Sequence, residues 1–358
     1  MIHRMGNGTM KSKTLNRKTL KGTALAFALT LAAGTARAEG DLFIYNWTDY
    51  TSPELIAKFE KETGIKVTLD TYDSNETLLA KLKSGSAGYD IAVVSSDFVP
   101  IFSSEGLVEK IDAPTLAGFS NLDPRWVKPV WDPENAYSIP WNWGTTSYSV
   151  NTDAYKGPTD SLSVLFEPPP ELAGKVGMFN SPSEVMSLAQ VYLDMPPCQT
   201  DTANMKKVQD LLTAQAPAVK LYNSDGIIER QATGETVVHQ QWNGAAMRSR
   251  ELNPAVKYVY PKEGVVGWMD NVVVPTGAKN PENARKFVSF IMQPENMALQ
   301  SNFTKYSNAV VGSEEFFEAS MKDAPELSPP ADLKVVFTPA CSEEAIQLMD
   351  RVWTRLKK

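Results

Sequence analysis

Histidine is almost missing from this chain. There are two in 358 residues, and one of them, His3, falls in a segment that reads as a removable leader. The survivor, His239, sits inside a strand pattern, where a satisfied core histidine is the simpler reading, so acid–base catalysis near neutral pH loses its usual agent. The glycine-rich phosphate loops, G-x-S-x-G and C-x-x-C are also missing. So are His/Cys clusters and calcium loops, which leaves no metal or cofactor to expect. Paired glycosidase carboxylates stay open, because their approach is a tertiary matter. Cysteine is limited to Cys198 and Cys341, which could pair in an oxidising compartment or stay as two separate buried thiols.

Long apolar runs are missing too. The nearest is Ala24–Ala33, preceded by six Lys/Arg with no acid and followed by the small-residue site Ala36-Arg37-Ala38. That order reads as a secretory signal peptide over 1–38, too short to span a bilayer. Its seven basic residues leave with it, which takes the net charge from −7 to −14. The exported remainder is then expected to repel nucleic acid and anionic lipid and to favour small cations. About 320 residues are enough for two domains.

What is present is a regular alternation. Asp41–Trp47 reads as a strand. Ser52 and Pro53 open a helix with Leu55, Ile56 and Phe59 on one face, and Gly64 stops it. A β-rich run follows over Ile65–Tyr72, then a helix capped by Ser74 and ended by Gly85. Tyr89–Ser95 is a nearly all-apolar strand of the buried parallel type. Later segments repeat the logic: a helix from about Pro182, a strand ending at Trp242, and a strand through "VVGWMDNVVVP" before a capped amphipathic helix from Pro281. Such alternation implies a doubly wound α/β sheet, whose ligands bind beyond the carboxyl ends of its strands.

At those ends, aromatic and acidic or polar residues recur together. They are Trp47-Thr48-Asp49-Tyr50, Ser95-Ser96-Asp97-Phe98, Trp242-Asn243-Gly244, Trp268-Met269-Asp270, and Tyr306 in "FTKYSN"; Glu184 joins them in a helix first turn. Taken singly, each is ordinary: a core Trp, a turn Asp, an acid complementing a helix dipole. Their recurrence suits an alkyl-ammonium ligand, whose charges need carboxylates and whose methylenes need aromatic faces.

The segments "YNWTDY", "FEKETGIKV", "DSNETLLAKL", "YDIAVVSSDF", "NLDPRW", "WGTTSYSVN", "PKEG" and "WMDNVVVP" resemble the periplasmic spermidine/putrescine-binding proteins of ABC importers, from about Leu42 to the C-terminus. The resemblance implies a two-lobe, type II-like periplasmic binding protein fold, each lobe a sheet flanked by helices, with a hinge between. It places lobe 1 at 39–141 plus 267–312 and lobe 2 at 142–266 plus 313–358. It implies a monomer, periplasmic, that hands a polyamine to an inner-membrane ABC permease. Carried over by position, Trp47, Thr48, Asp49 and Tyr50 form the first pocket segment, where acid and hydroxyl take a terminal amine. Ser95 is a pocket serine, Glu184 grips an amine from the second lobe, Trp242 and Trp268 wall the methylene chain, Asp270 binds an amine, and Tyr306 adds a phenol.

Three positions depart from the pattern. Ala245 replaces an Asp or Ser, Ser181 replaces a second acid, and Asp97 replaces a Ser or Tyr. One carboxylate is lost and another gained, so the cation expected is polyamine-like, with agmatine or another guanidinium as an alternative. A carbohydrate on the same fold would need more Asn, Gln and Arg among the pocket segments. An exported hydrolase using two of the acids is the rival from another class.

Overall fold

A computed structural model describes residues 40–85 and 88–357; the leader expected over 1–38 lies outside them. The first elements form where their local chemistry directs. The Ser52 hydroxyl accepts from the Leu55 amide at 3.2 Å, Pro53 fills the first turn, and Gly64 ends helix Pro53–Thr63 at φ 74°. Ser74 caps helix Asn75–Lys83 in the same way.

The described strands are β1 (Asp41–Trp47), β2 (Lys66–Tyr72), β3 (Ile91–Ser95), β4 (Val108–Glu109), β5 (Ser138–Asn151), β6 (Val176–Met178), β7 (Val219–Tyr222), β8 (Val238–Trp242), β9 (Val256–Val259), β10 (Val265–Pro275), β11 (Ser307–Asn308) and β12 (Val335–Phe337). Their hydrogen bonds trace one path, β2-β1-β3-β10-β5-β8-β6-β7. β1 runs parallel to β2 and β3, but β10 runs antiparallel to β3 and β5. The reading of Tyr89–Ser95 as a strand of the buried parallel type is thereby corrected in part. β3 is buried on both faces as its apolar run requires, yet it is parallel on one edge only.

Both long strands contribute to two of the hydrophobic cores. Ile139 and Trp141 of β5, with Met269, Val272 and Val274 of β10, pack with Leu42, Phe59 and Phe287. Further along, Tyr148 and Val150 of β5 and Val266 of β10 pack with Phe166, Val185 and Leu212. This is the two-lobe architecture, and β5 and β10 cross from one lobe to the other.

His239 lies fully buried on β8, with its Nδ1 2.6 Å from the Gln240 carbonyl oxygen. It is core, but it is satisfied on one side only, since its Nε2 has no partner among the described residues. Burial drives its pKa down to about 4. Asn280 precedes helix Pro281–Ile291 but does not cap it; its amide groups donate to Asp90 instead.

Cys198 and Cys341 form a disulfide across 143 positions. It ties the segment after helix Pro182–Tyr192 to the start of helix Glu343–Leu356, whose Leu348, Met349 and Val352 complete the second core. In the chain-entropy view so long a loop contributes roughly 4–5 kcal/mol. We expect the Cys198→Ser/Cys341→Ser double variant to melt on the order of 10 °C below the parent in calorimetry. Equal midpoints would remove the disulfide from the account of stability.

Candidate functional site

Strand geometry brings the site together. β1, β2 and β3 are parallel and end at Trp47, Tyr72 and Ser95, so those carboxyl ends share one edge of the sheet. β10 runs the other way and places Asp270 directly opposite Ser95. The Ser95 hydroxyl donates to the Asp270 carboxylate at 3.0 Å. The β10–β5 register slips between Met269 and Asn271; such irregularities commonly re-aim a side chain. Trp268 and Asp270 share one face of β10, while Met269 points into the first core.

All eleven residues expected at the site line a single cleft: Trp47, Thr48, Asp49, Tyr50, Ser95, Asp97, Glu184, Trp242, Trp268, Asp270 and Tyr306. Their settings differ. The Tyr50–Ser52 turn is held by buried Gln300, whose side chain donates to the Tyr50 carbonyl at 2.6 Å and accepts from the Ser52 amide at 3.0 Å. Asp49 is exposed at the rim in a left-handed conformation, φ 56°. The Thr48 hydroxyl donates to the Tyr72 carbonyl at 3.3 Å. Asp270 is only 5 % exposed.

Aromatic side chains line the cleft in separate packed groups. Trp47 meets Tyr72 at 4.5 Å between ring centroids, Tyr50 meets Tyr306 at 5.6 Å, and Tyr306 meets the edge of Trp268 at 5.0 Å. Gly244 permits this closeness, because a Cβ there would lie 2.5 Å from carbons of the Tyr306 ring. Trp242 stacks on Phe179 at 4.2 Å and donates its indole N–H to the Glu184 carboxylate at 2.7 Å. Tryptophan here orients the acid as well as covering the cleft.

The carboxylates are electrostatically crowded. Burial lifts the pKa of Asp97 to about 7, aided by the nearby charges of Glu76 and Asp270. Burial lifts Glu184 to about 8, against the Trp242 hydrogen bond and with repulsion from Glu76, Asp270 and Asp97. Asp270 rises to about 7, again through burial, while the Tyr50 and Ser95 hydroxyls pull it down. No cation is among the groups that perturb these three. Among the described residues, no group of three or more acids, cysteines or histidines is arranged to hold a metal ion.

Several site-facing residues were missed from sequence. Tyr72 and Asn75 line the cleft, and the rule that found Trp47 and Ser95 covers Tyr72, which also ends a parallel strand. Glu76 sits beside the cleft and accepts from the Ser183 amide across it at 3.4 Å; burial raises its pKa. Arg248 also lines the cleft, one helical turn beyond Ala245. Of the three departures, Asp97 and Ala245 face the cleft, whereas Ser181 is not among its lining residues and serves as the N-cap of helix Pro182–Tyr192.

Residues 54–329 match the family described as bacterial extracellular solute-binding protein. The chain is 38% identical over 272 residues to the spermidine/putrescine-binding periplasmic protein of Escherichia coli (strain K12), covering 75% of this chain and 78% of that one. It is 33% identical over 364 residues to that organism's putrescine-binding periplasmic protein PotF, covering 96% and 98%. The fold superposes with a TM-score of 0.73 on the spermidine/putrescine ABC transporter substrate-binding protein PotD from Streptococcus pneumoniae, 26% identical, covering 89% of this chain and 99% of that one.

Proposed function

Because the chain belongs to the bacterial extracellular solute-binding protein family, we propose that its cleft captures a polyamine and that the loaded protein delivers it, chemically unchanged, to an ABC permease in the inner membrane. The observation that carries this reading is the set Asp97, Glu184 and Asp270. These are carboxylates held in low-dielectric surroundings, with no cation perturbing them and with Trp47, Trp242 and Trp268 around them. Such acids resist ionisation until a positive charge arrives, and an arriving ammonium supplies it. The indole faces cover the methylenes and add cation–π attraction of about 0.5–2 kcal/mol each.

The two lobes are 39–141 plus 267–312 and 142–266 plus 313–358 in this reading. The pivot lies where β5 and β10 pass between the cores, near Trp143–Thr146 and Val266–Trp268. Asp97 and Asp270 stand on the first-lobe side and Glu184 on the second. Only the closed form therefore lets one cation meet acids of both lobes, and binding shifts the population towards closure. The protein acts as a monomer, without nucleic acid and without catalysis of its own.

A calorimetric titration of the protein, with the leader omitted, against putrescine, spermidine, spermine, agmatine, arginine and glucose tests the proposal. Saturable binding of at least one amine near micromolar, about 8 kcal/mol, is expected. Glucose should give no heat. Flat traces with every amine would end the polyamine reading.

A further inference from the structure

Arg248 is the one Lys or Arg among the described residues that line the cleft. It belongs to helix Asn243–Leu252, which follows β8 in the second lobe. Its guanidinium reaches the first lobe at two places. It donates to the Asp49 backbone carbonyl at 3.0 Å, and it lies over the Phe303 ring at 4.9 Å from the centroid. The contact is to the carbonyl and not to the Asp49 carboxylate, which remains exposed at the rim.

The charge of Arg248 reaches only part of the cleft. It acts on Tyr306, where burial and the charges of Asp270 and Glu184 oppose ionisation and Arg248 favours it. It is absent from the influences on Asp97, Glu184 and Asp270; Asp97 and Glu184 instead feel the charges of Glu76 and Asp270. One end of the cleft therefore gathers uncompensated carboxylates. The rest of the lining holds the acids Asp49, Asp73 and Asp225 and one cation, Arg248, which stands against Asp49. An ammonium arriving at the first end is attracted. Beside Asp49 it meets the repulsion of Arg248 and gains less for the water it loses.

We propose that Arg248 is a specificity-determining residue: it clasps the lobes beside Asp49 and, as the one cation of the lining, weakens the pull of Asp49 on a further ammonium, so that the cleft prefers a short diamine, with both charges among Asp97, Glu184 and Asp270, to a longer triamine. This rests on the polyamine reading above and adds the length and charge count of the ligand. Removing the guanidinium leaves Asp49 unbalanced and opens an additional ammonium position beside it.

Calorimetric titration of the parent, Arg248→Gln and Arg248→Lys with putrescine and with spermidine separates the two roles of the side chain. Both variants lose the guanidinium hydrogen bond to the Asp49 carbonyl and should bind putrescine more weakly. Arg248→Gln alone should raise the spermidine-to-putrescine affinity ratio, by about tenfold, the size expected of one like-charge contact a few ångström away under partial screening. Arg248→Lys, which keeps the charge, should leave the ratio at the parent value. Adding Asp49→Asn to Arg248→Gln should return the ratio towards the parent. An unchanged ratio in Arg248→Gln, or an equal rise in Arg248→Lys, overturns the inference while leaving polyamine binding intact. A parent that binds neither amine overturns both. Circular dichroism of each variant verifies that changes in ratio are read from folded protein.

Discussion

Asp270→Asn should lose its amine ligand and melt higher than the parent at pH 8 when no ligand is present. The two halves of this result have one cause. Asp270 is 5 % exposed, and burial lifts its pKa to about 7, so keeping it ionised costs the empty protein stability above that pH. Asparagine has the same shape, still accepts the Ser95 hydroxyl, and carries no charge to desolvate. Removing one partner of a desolvated charge pair weakens binding by about 2–5 kcal/mol, some thirtyfold to several thousandfold. Calorimetry with putrescine reads the first half and differential scanning without ligand reads the second. Parent-like affinity would show that no ammonium sits on Asp270. A fall in the melting midpoint would mean that the carboxylate supports the fold and that its placement serves structure.

Acidification should move binding and stability in opposite directions. Asp97, Asp270 and Glu184 have pKa values raised to about 7, 7 and 8 in the folded protein, against unfolded values near 4. Between those limits the folded state holds more protons than the unfolded one, so stability rises as pH falls. A tenfold gain in proton affinity on folding corresponds to about 1.4 kcal/mol, shared among sites that titrate together. His239 works the other way. Its pKa is lowered to about 4, so below about 6.5 the unfolded state takes the proton and stability is lost. The clearest window is therefore from pH 8 down to about 6.5, where the three carboxyls outweigh the histidine. Across it the ligand-free protein should gain melting temperature, while amine affinity should fall because protonated acids no longer attract a cation. A midpoint that drops with pH over this window, or an affinity that holds, would contradict the crowded-carboxylate picture.

Much of this site could be read from the order of residues because it obeys one geometric rule. A carboxyl-terminal strand end in an α/β sheet faces the ligand, and that rule brought Trp47–Tyr50 and Ser95–Asp97 to one cleft from separate strands. Local capping chemistry was equally legible: Ser52, Pro53 and Gly64 mark helix Pro53–Thr63 at both ends. What escaped was set at a distance. Whether β10 runs with or against β3 depends on pairing between residues about 175 apart, and an apolar strand reads the same either way. Asn280 looks like a cap in its own segment, but Asp90 takes its donors. Arg248 reads as a solvated helix charge until the opposite lobe supplies the Asp49 carbonyl and the Phe303 ring. Ser181, noted in the sequence for the acid it replaces, serves as a cap.

The passage of β5 and β10 through both cores has a consequence for synthesis. The first core joins Leu42 and Phe59 to Met269, Val272 and Phe287, and the second joins Tyr148 and Val150 to Leu348 and Val352. Neither half can finish from a continuous early stretch, so each stays incomplete until its late residues have emerged. Native contacts this remote in sequence slow folding, which suits a polypeptide that must be threaded across a membrane before it becomes compact.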